Sequence, residues 1–304
     1  MNPIIEAEHF TRKYGDFTAV DDISFTVDEG SIFAFLGPNG AGKSTTINTL
    51  CTILDKTDGK LMINGHDVSK DRNEVRKDIG IVFQDSTLDP KLTVEENLKY
   101  HCSFYKVPKE EVQQRIDFAL DLVELTDWKK AIVGSLSGGM NRRAESARGL
   151  VHYPKVLCLD EPTTGLDPQT RASVWKYIQQ IQKENNMTIF LTTHYMDEAE
   201  ICSKVVIMDH GKIVACDTPE NLEQKYTSTI VEVDCKDPAP LEKELEARDI
   251  QFKKEDQRVI FHTKTAVEAL DILSDLKDDI ENFEVKNGTL NEVFLAITGK
   301  EIRE

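Results

Sequence analysis

The spacing of apolar residues changes several times along this chain. At 4–9 and 22–27 apolar and polar positions alternate, the period of a strand with one buried face. At 31–36 the alternation gives way to an unbroken run that ends at Gly37. Similar short runs recur at 79–83, 155–159, 187–192 and 205–209. Continuous apolar stretches of this length fit strands covered on both faces. Between them the period is helical: 43–54, then 95–130 with a break at Pro108, then 168–184. Pro168 opens the last of these, at a position whose N–H would be unpaired anyway. Asn64-Gly65 in LMINGHDV and His210-Gly211 between 205–209 and 213–216 join neighbouring β-formers. Strands alternating with helices predict a mostly parallel sheet with both faces covered.

From about Ser228 the texture changes. Glycine is absent until Gly288, and the elements shorten. The pattern predicts strand 229–235, helix 239–248, strands 250–254 and 258–263, helix 265–278, strand 282–286 and helix 289–298. Without its last helix this is the β-α-β-β-α-β order of a ferredoxin-like α+β domain. The expected division is 1–226 and 227–304, with Tyr226–Thr229 as linker. In the closing helix Leu290, Val293, Phe294 and Ile297 share one face. That face either packs on the domain's own sheet or makes a dimer or regulatory contact.

Composition narrows the possible partners. Acidic residues outnumber basic ones 54 to 37, a net charge of −17, which opposes nucleic-acid binding because phosphate contacts need a basic surface. No apolar run approaches the roughly 20 residues that span a bilayer. The first 15 residues carry acids where a signal peptide needs a basic segment and an apolar stretch. The expectation is a cytoplasmic protein that meets a membrane only through a partner. Six cysteines at 51, 102, 158, 202, 216 and 235 form no C-x-x-C pair and fit a reducing compartment.

The run 31–36 leads into Gly37-Pro38-Asn39-Gly40-Ala41-Gly42-Lys43-Ser44-Thr45, which fits G-x-x-x-x-G-K-[ST]. Glycines let the loop wrap a phosphate that a Cβ would displace. Backbone N–H groups and the helix N-terminus supply positive potential. Lys43 is placed to reach the β- and γ-phosphates of ATP, and the Ser44 hydroxyl to ligate Mg2+. The run 155–159 ends in Asp160-Glu161. An acid closing a buried strand beside the strand of the glycine loop can hold Mg2+, directly or through water. Glu161, one residue on, can face the attacking water as general base. Acids after a strand are ordinarily solvated loop residues. The phosphate loop argues otherwise, and the two motifs together define a P-loop NTPase.

Leu136-Ser137-Gly138-Gly139-Met140 narrows the class. Here the sequence resembles the ATP-binding cassette (ABC) family, whose signature is usually written LSGGQ. Met140 stands where Gln is commoner, which removes a role for a Gln side chain and leaves the Ser hydroxyl and glycine N–H groups. The resemblance covers 4–225. It implies an α/β P-loop cassette with a mostly parallel sheet, an antiparallel β subdomain and a helical subdomain. It implies that the signature faces the γ-phosphate held by a partner's loop. Gln84 matches the family's Q-loop position, which touches Mg2+ and water and senses the membrane subunit. Asp167, in Thr164–Asp167, matches the D-loop that bridges two nucleotide sites. His194 matches the switch histidine at the γ-phosphate, and Tyr14 the aromatic that stacks on adenine. Taken alone, such a His or Tyr is a packing residue. The ordered set is what assigns them.

Residues 137–168 and 288–300 resemble the ATPase subunits of drug-resistance and sodium exporters, whose permease is a separate chain. The expectation is therefore an ATPase that binds ATP and Mg2+, pairs with a second copy or a related ABC subunit, and powers a permease from the inner membrane face. A soluble ABC ATPase acting on ribosomes or DNA would usually carry two cassettes or a long coiled-coil insert, and neither is present. A regulatory module with a dead site would not keep Lys43, Asp160, Glu161 and His194 together. No residue reads a cargo.

Overall fold

The structure is a computed structural model that describes residues 3–299. The chain divides into two compact units, one ending at Cys216 and one beginning at Asp217.

The first unit contains two sheets. Ile32–Leu36, Thr188–Thr193, Val156–Asp160 and Ile79–Val82 lie side by side in parallel, and Lys204–Asp209 flanks Ile32–Leu36 on the other side. Lys212–Asp217 returns beside Lys204–Asp209 at the edge of this sheet. Every residue of Ile32–Leu36, Val156–Asp160 and Thr188–Thr193 is buried, as their unbroken apolar runs require. The second sheet is antiparallel, in the order Phe17–Asp28, Pro3–Tyr14, Asp58–Ile63, His66–Asp67. Its residues alternate between core and solvent along Phe17–Asp28. Phe25, Phe33, Phe35 and Phe190 meet in the shared core with ring centroids 4.9–6.2 Å apart. Both expected tight turns have two consecutive positive φ values, 48° and 80° at Asn64-Gly65 and 46° and 78° at His210-Gly211.

Three details differ from the sequence reading. The helix after the glycine loop ends at Leu50 and not near Leu54. Thr52 turns left-handed, and the Ile53 N–H closes back on Asn48 O at 2.9 Å. The strand that ends in Asp160 is not beside the strand of the glycine loop, because Thr188–Thr193 runs between them. Parallel strands end on the same edge of the sheet, so the loop and the acid still converge. Finally, the helix Pro219–Tyr226, which the expected 226/227 boundary assigns to the first domain, falls in the second unit, against Leu290–Thr298. The closing helix therefore has this helix as its principal partner, not its own sheet.

The second unit has a four-stranded antiparallel sheet in the order Phe252–Glu255, Arg258–Thr263, Thr229–Cys235, Ile280–Lys286. This is the strand order of the ferredoxin-like arrangement. Thr229–Cys235 alternates strictly, sending Val231, Val233 and Cys235 into a core with Leu241, Leu245 and Phe261.

Candidate active site

The glycine loop leaves Ile32–Leu36 and closes on itself before the Lys43–Leu50 helix. Gly37 and Gly42 cannot be replaced without movement. A Cβ at Gly37 would lie 2.3 Å from Met208 O, and one at Gly42, where φ is +106°, would lie 2.6 Å from Ala19 O. No side chain caps the helix that begins at Lys43. Its first N–H groups thus remain for an anion.

Lys43 is almost wholly buried. Its Nζ donates to Gly37 O at 2.7 Å and Pro38 O at 3.1 Å, and lies 3.6 Å from Glu161 Oε1. Burial pulls its pKa down, and the Glu161 charge opposes that. Asp160 Oδ1 accepts from Thr192 Oγ1 at 2.5 Å and from Ser44 Oγ at 3.2 Å. Burial pushes its carboxyl up, and these two hydroxyls work against the rise.

Glu161 has a left-handed backbone, φ +47°, rare for a residue with a side chain. Its N–H donates to both Thr192 O and Thr192 Oγ1 at 3.1 Å. Its Oε2 accepts from Thr164 Oγ1 at 3.1 Å. His194 Nδ1 comes within 3.3 Å of the same oxygen, but the approach is not aligned. That buried ring nitrogen is left without a hydrogen-bond partner among the described residues.

Tyr14, Asn39, Gly40, Gly42, Lys43, Ser44, Thr45, Gln84, Glu161 and His194 all line one cleft of about 730 Å³. Tyr14 is half exposed at its rim, with the Arg12 guanidinium 4.6 Å from its ring centre. The cleft also takes Thr164, the first residue of the D-loop match, and Phe17, Ala19 and Tyr195, which the motifs did not single out. Phe17 faces Tyr14 across the hairpin turn, a signal that alternation about Gly15-Asp16 carries.

The signature does not line this cleft. Ser137 and Gly138 are exposed at the start of the Gly138–Leu150 helix, where the Ser137 hydroxyl accepts from Met140 N at 3.3 Å. Leu136, Gly139 and Met140 are half-buried. Asp167 also lies outside the cleft, capping the Pro168–Asn185 helix through Gln169 N and Thr170 N, both at 3.1 Å.

The donor set fits a magnesium-bound triphosphate. Free helix N–H groups and the Lys43 ammonium suit phosphate oxygens. No group of three or more His, Cys, Asp or Glu side chains able to hold a metal occurs among the described residues. Mg2+ needs none, because it binds through one or two carboxylates, substrate phosphates and waters. Ser44 Oγ and an Asp160 oxygen, 3.2 Å apart, supply such a pair.

Fold and cleft together define a P-loop nucleoside triphosphatase. The family model described as ABC transporter matches residues 20–164. The chain is 34% identical over 316 residues to the Nod factor export ATP-binding protein I of Ralstonia nicotianae, covering 99% of this chain and 96% of that one. The solved structure of cbiO1 from Clostridium perfringens, part of the cbiONQ ABC transporter complex, aligns with 73% of this chain and 91% of its own, at 31% identity and a TM-score of 0.68. The dimeric bacterial ABC transporter cassette MJ0796 aligns with 70% of this chain and 98% of its own, at 27% identity and a TM-score of 0.63. This chain belongs to the family of ABC transporter ATP-binding proteins and is an ATPase. No helix among the described residues is long and apolar enough to cross a membrane.

Proposed function

We propose that two copies of this chain, or one copy and a related cassette, close head-to-tail around two ATP molecules and drive a separate permease that exports its substrate. The observation that carries this reading is the exposed signature. Its helix presents exposed Ser137 and Gly138 to solvent, with Met140 N capped by the Ser137 hydroxyl, and the chain's own cleft does not include them. A γ-phosphate held by a second copy's loop would meet those donors. The dimeric cassette MJ0796 supports the pairing, and the Nod factor export relative, alignable over nearly the whole chain, supports export.

In the closed state the Lys43 ammonium and the loop N–H groups would hold the β- and γ-phosphates. Ser44 and Asp160 would hold Mg2+, with Gln84 within reach from across the cleft. The ion would neutralise charge on the phosphate oxygens. Glu161 would take a proton from the water that attacks the γ-phosphorus, as the bond to the bridging oxygen breaks. His194, whose Nδ1 lacks a hydrogen-bond partner, would turn to the γ-phosphate. Tyr14 would stack on the adenine. The permease would place the chain at the inner face of the cell membrane.

Gel filtration of Glu161→Gln with MgATP tests the pairing. A shift to twice the monomer mass is expected, and a monomer at high concentration would overturn the head-to-tail site. Flux measured in vesicles holding the chain with its co-purified multi-span partner tests direction. ATP-driven uptake toward the chain's side would overturn export.

A further inference from the structure

Among the side chains that the Gly138–Leu150 helix buries are charged ones, Arg142, Glu145 and Arg148. Arg142 is 8% exposed, and no motif marks it. Its Nε donates to Pro162 O at 2.6 Å, its Nη2 to Glu161 O at 2.9 Å, and its Nη1 to Gln84 O at 3.2 Å and also to Phe83 O. One guanidinium thus takes carbonyls from two loops that follow different strands, Ile79–Val82 and Val156–Asp160. The rigid planar fork of five donors is what makes this possible, and a lysine could not span both loops.

Glu161 is strained, and strained residues persist only where their surroundings over-determine them. Three residues do so here. Thr192 holds the Glu161 N–H, and the Glu161 carbonyl accepts from Arg142 Nη2 at 2.9 Å and from Thr164 N, within the same loop, at 3.3 Å. One helical turn further on, Glu145, 1% exposed, accepts from Ser86 Oγ at 2.9 Å, from Leu88 N at 2.9 Å and from Thr87 N. The signature helix is therefore tied along 83–88 as well as to 161–162.

We infer that Arg142 is a positioning residue for hydrolysis: it holds Glu161 in its left-handed conformation and locks it to the backbone at Gln84. The inference rests on the reading of Glu161 as the base. Without Arg142 the Glu161 carbonyl keeps only the Thr164 N–H of its own loop, at 3.3 Å, and loses its tie to the signature helix, so the backbone relaxes towards negative φ and the carboxylate turns from the water. Nucleotide binding, which depends on the glycine loop, is left intact.

The experiment compares the full-length wild type, Arg142→Met, Arg142→Lys, Glu161→Gln and the Arg142→Met/Glu161→Gln double variant with MgATP. Arg142→Met should lose about 10²-fold in kcat, the scale of a misplaced reacting group, with KM changed by about twofold or less. Arg142→Lys should fall between it and wild type. In the Glu161→Gln background the same change should alter residual turnover by about twofold or less, because both act through one group. Amide exchange of the nucleotide-free protein should quicken at 83–88 and 161–164 and not at 32–36. Unchanged kcat, a full multiplicative loss in the double variant, or uniformly faster exchange would each overturn the role. If Arg142→Met does not fold, Arg142→Lys decides by the same kinetic and exchange readouts. Wild-type turnover in Glu161→Gln would overturn the base assignment itself. An inactive Glu161→Gln beside an unimpaired Arg142→Met would overturn only the Arg142 inference.

Discussion

The two ends of the ATPase machinery in this chain are built in opposite ways. Around the glycine loop, charge is buried and paired. Lys43, Asp160 and Glu161 are each nine-tenths or more buried, and their polar atoms meet within the same chain. Around the signature the donors point outward, and Ser137 and Gly138 lie exposed. Burying a charge without partners is costly, so a pocket of this kind must be complete before the nucleotide arrives. Exposed N–H groups at a helix start cost little while water serves them, and they are available to an anion brought by something else. The contrast teaches that one half of the proposed machinery is paired within the chain, while the other keeps its donors facing solvent, as the proposed pairing requires.

The largest effect that could break this contrast is at the paired half. Glu161→Gln should cut phosphate release by about 10²–10⁴-fold while ATP binding, measured by equilibrium dialysis, persists. Near-normal turnover would show that the buried charges only hold the fold.

At the outward half, Gly138→Asp is informative because its Cβ meets nothing closer than Leu166 Cδ2 at 3.6 Å, an ordinary contact. A carboxylate at a helix start is not destabilising, so the melting temperature should hold. A γ-phosphate approaching from a second copy would nonetheless be repelled, and turnover should fall by about 10-fold or more. Mixing this variant with Lys43→Ala chains should restore part of the activity, since one of the two shared sites would then be intact. No recovery on mixing would argue that each chain hydrolyses alone.

Acid should loosen the signature half. His152, just past the signature helix, bonds Ile79 O through Nε2 at 2.8 Å and stacks on Tyr105 at 3.7 Å. Burial lowers its pKa to about 4, and that of His101 to about 3. Both are held neutral in the native state, so the unfolded chain binds more protons below about pH 6.5. Urea stability should therefore fall as pH drops from about 6.5 towards 4, and His152→Gln should flatten that slope. A slope unchanged by His152→Gln would place the acid-sensitive group elsewhere.

The smallest expected effect concerns Asp167. Its observed role is a helix cap, so Asp167→Ala should lower the melting temperature by roughly 2–4 °C, the range for loss of one cap in a unit of this size. A loss of turnover far beyond that small change would add a role between two chains.

Much of this was readable from residues alone. The inner strands of the central sheet appeared as apolar runs, because a strand covered on both faces has few exposed polar positions to interrupt it. The phosphate loop appeared because glycine is the only residue that tolerates its close approaches, as at Gly37 and Gly42. The ferredoxin-like order of the second unit appeared in the alternation of 229–235 and the elements after it. The strand order did not. Nothing in the run 187–192 says that it separates the acidic strand from the loop strand. The edge between the compact units was not legible either: Pro219–Tyr226 is an ordinary amphipathic helix, and only its packing partner tells which unit it joins.

The sequence by itself determined the class of protein and pointed to the nucleotide loop, the acids and the signature as its candidate site, because each of those motifs is a few consecutive residues and the backbone they share. Tertiary structure alone decided what holds them in place. Arg142 reads as one more basic residue on a polar helix, yet its carbonyl partners lie 19 to 59 positions away, and no local pattern encodes contacts at that range. Burial, and with it the inward turn of the Lys43, Asp160 and Arg142 pKa values, likewise exists only once distant strands have closed around them.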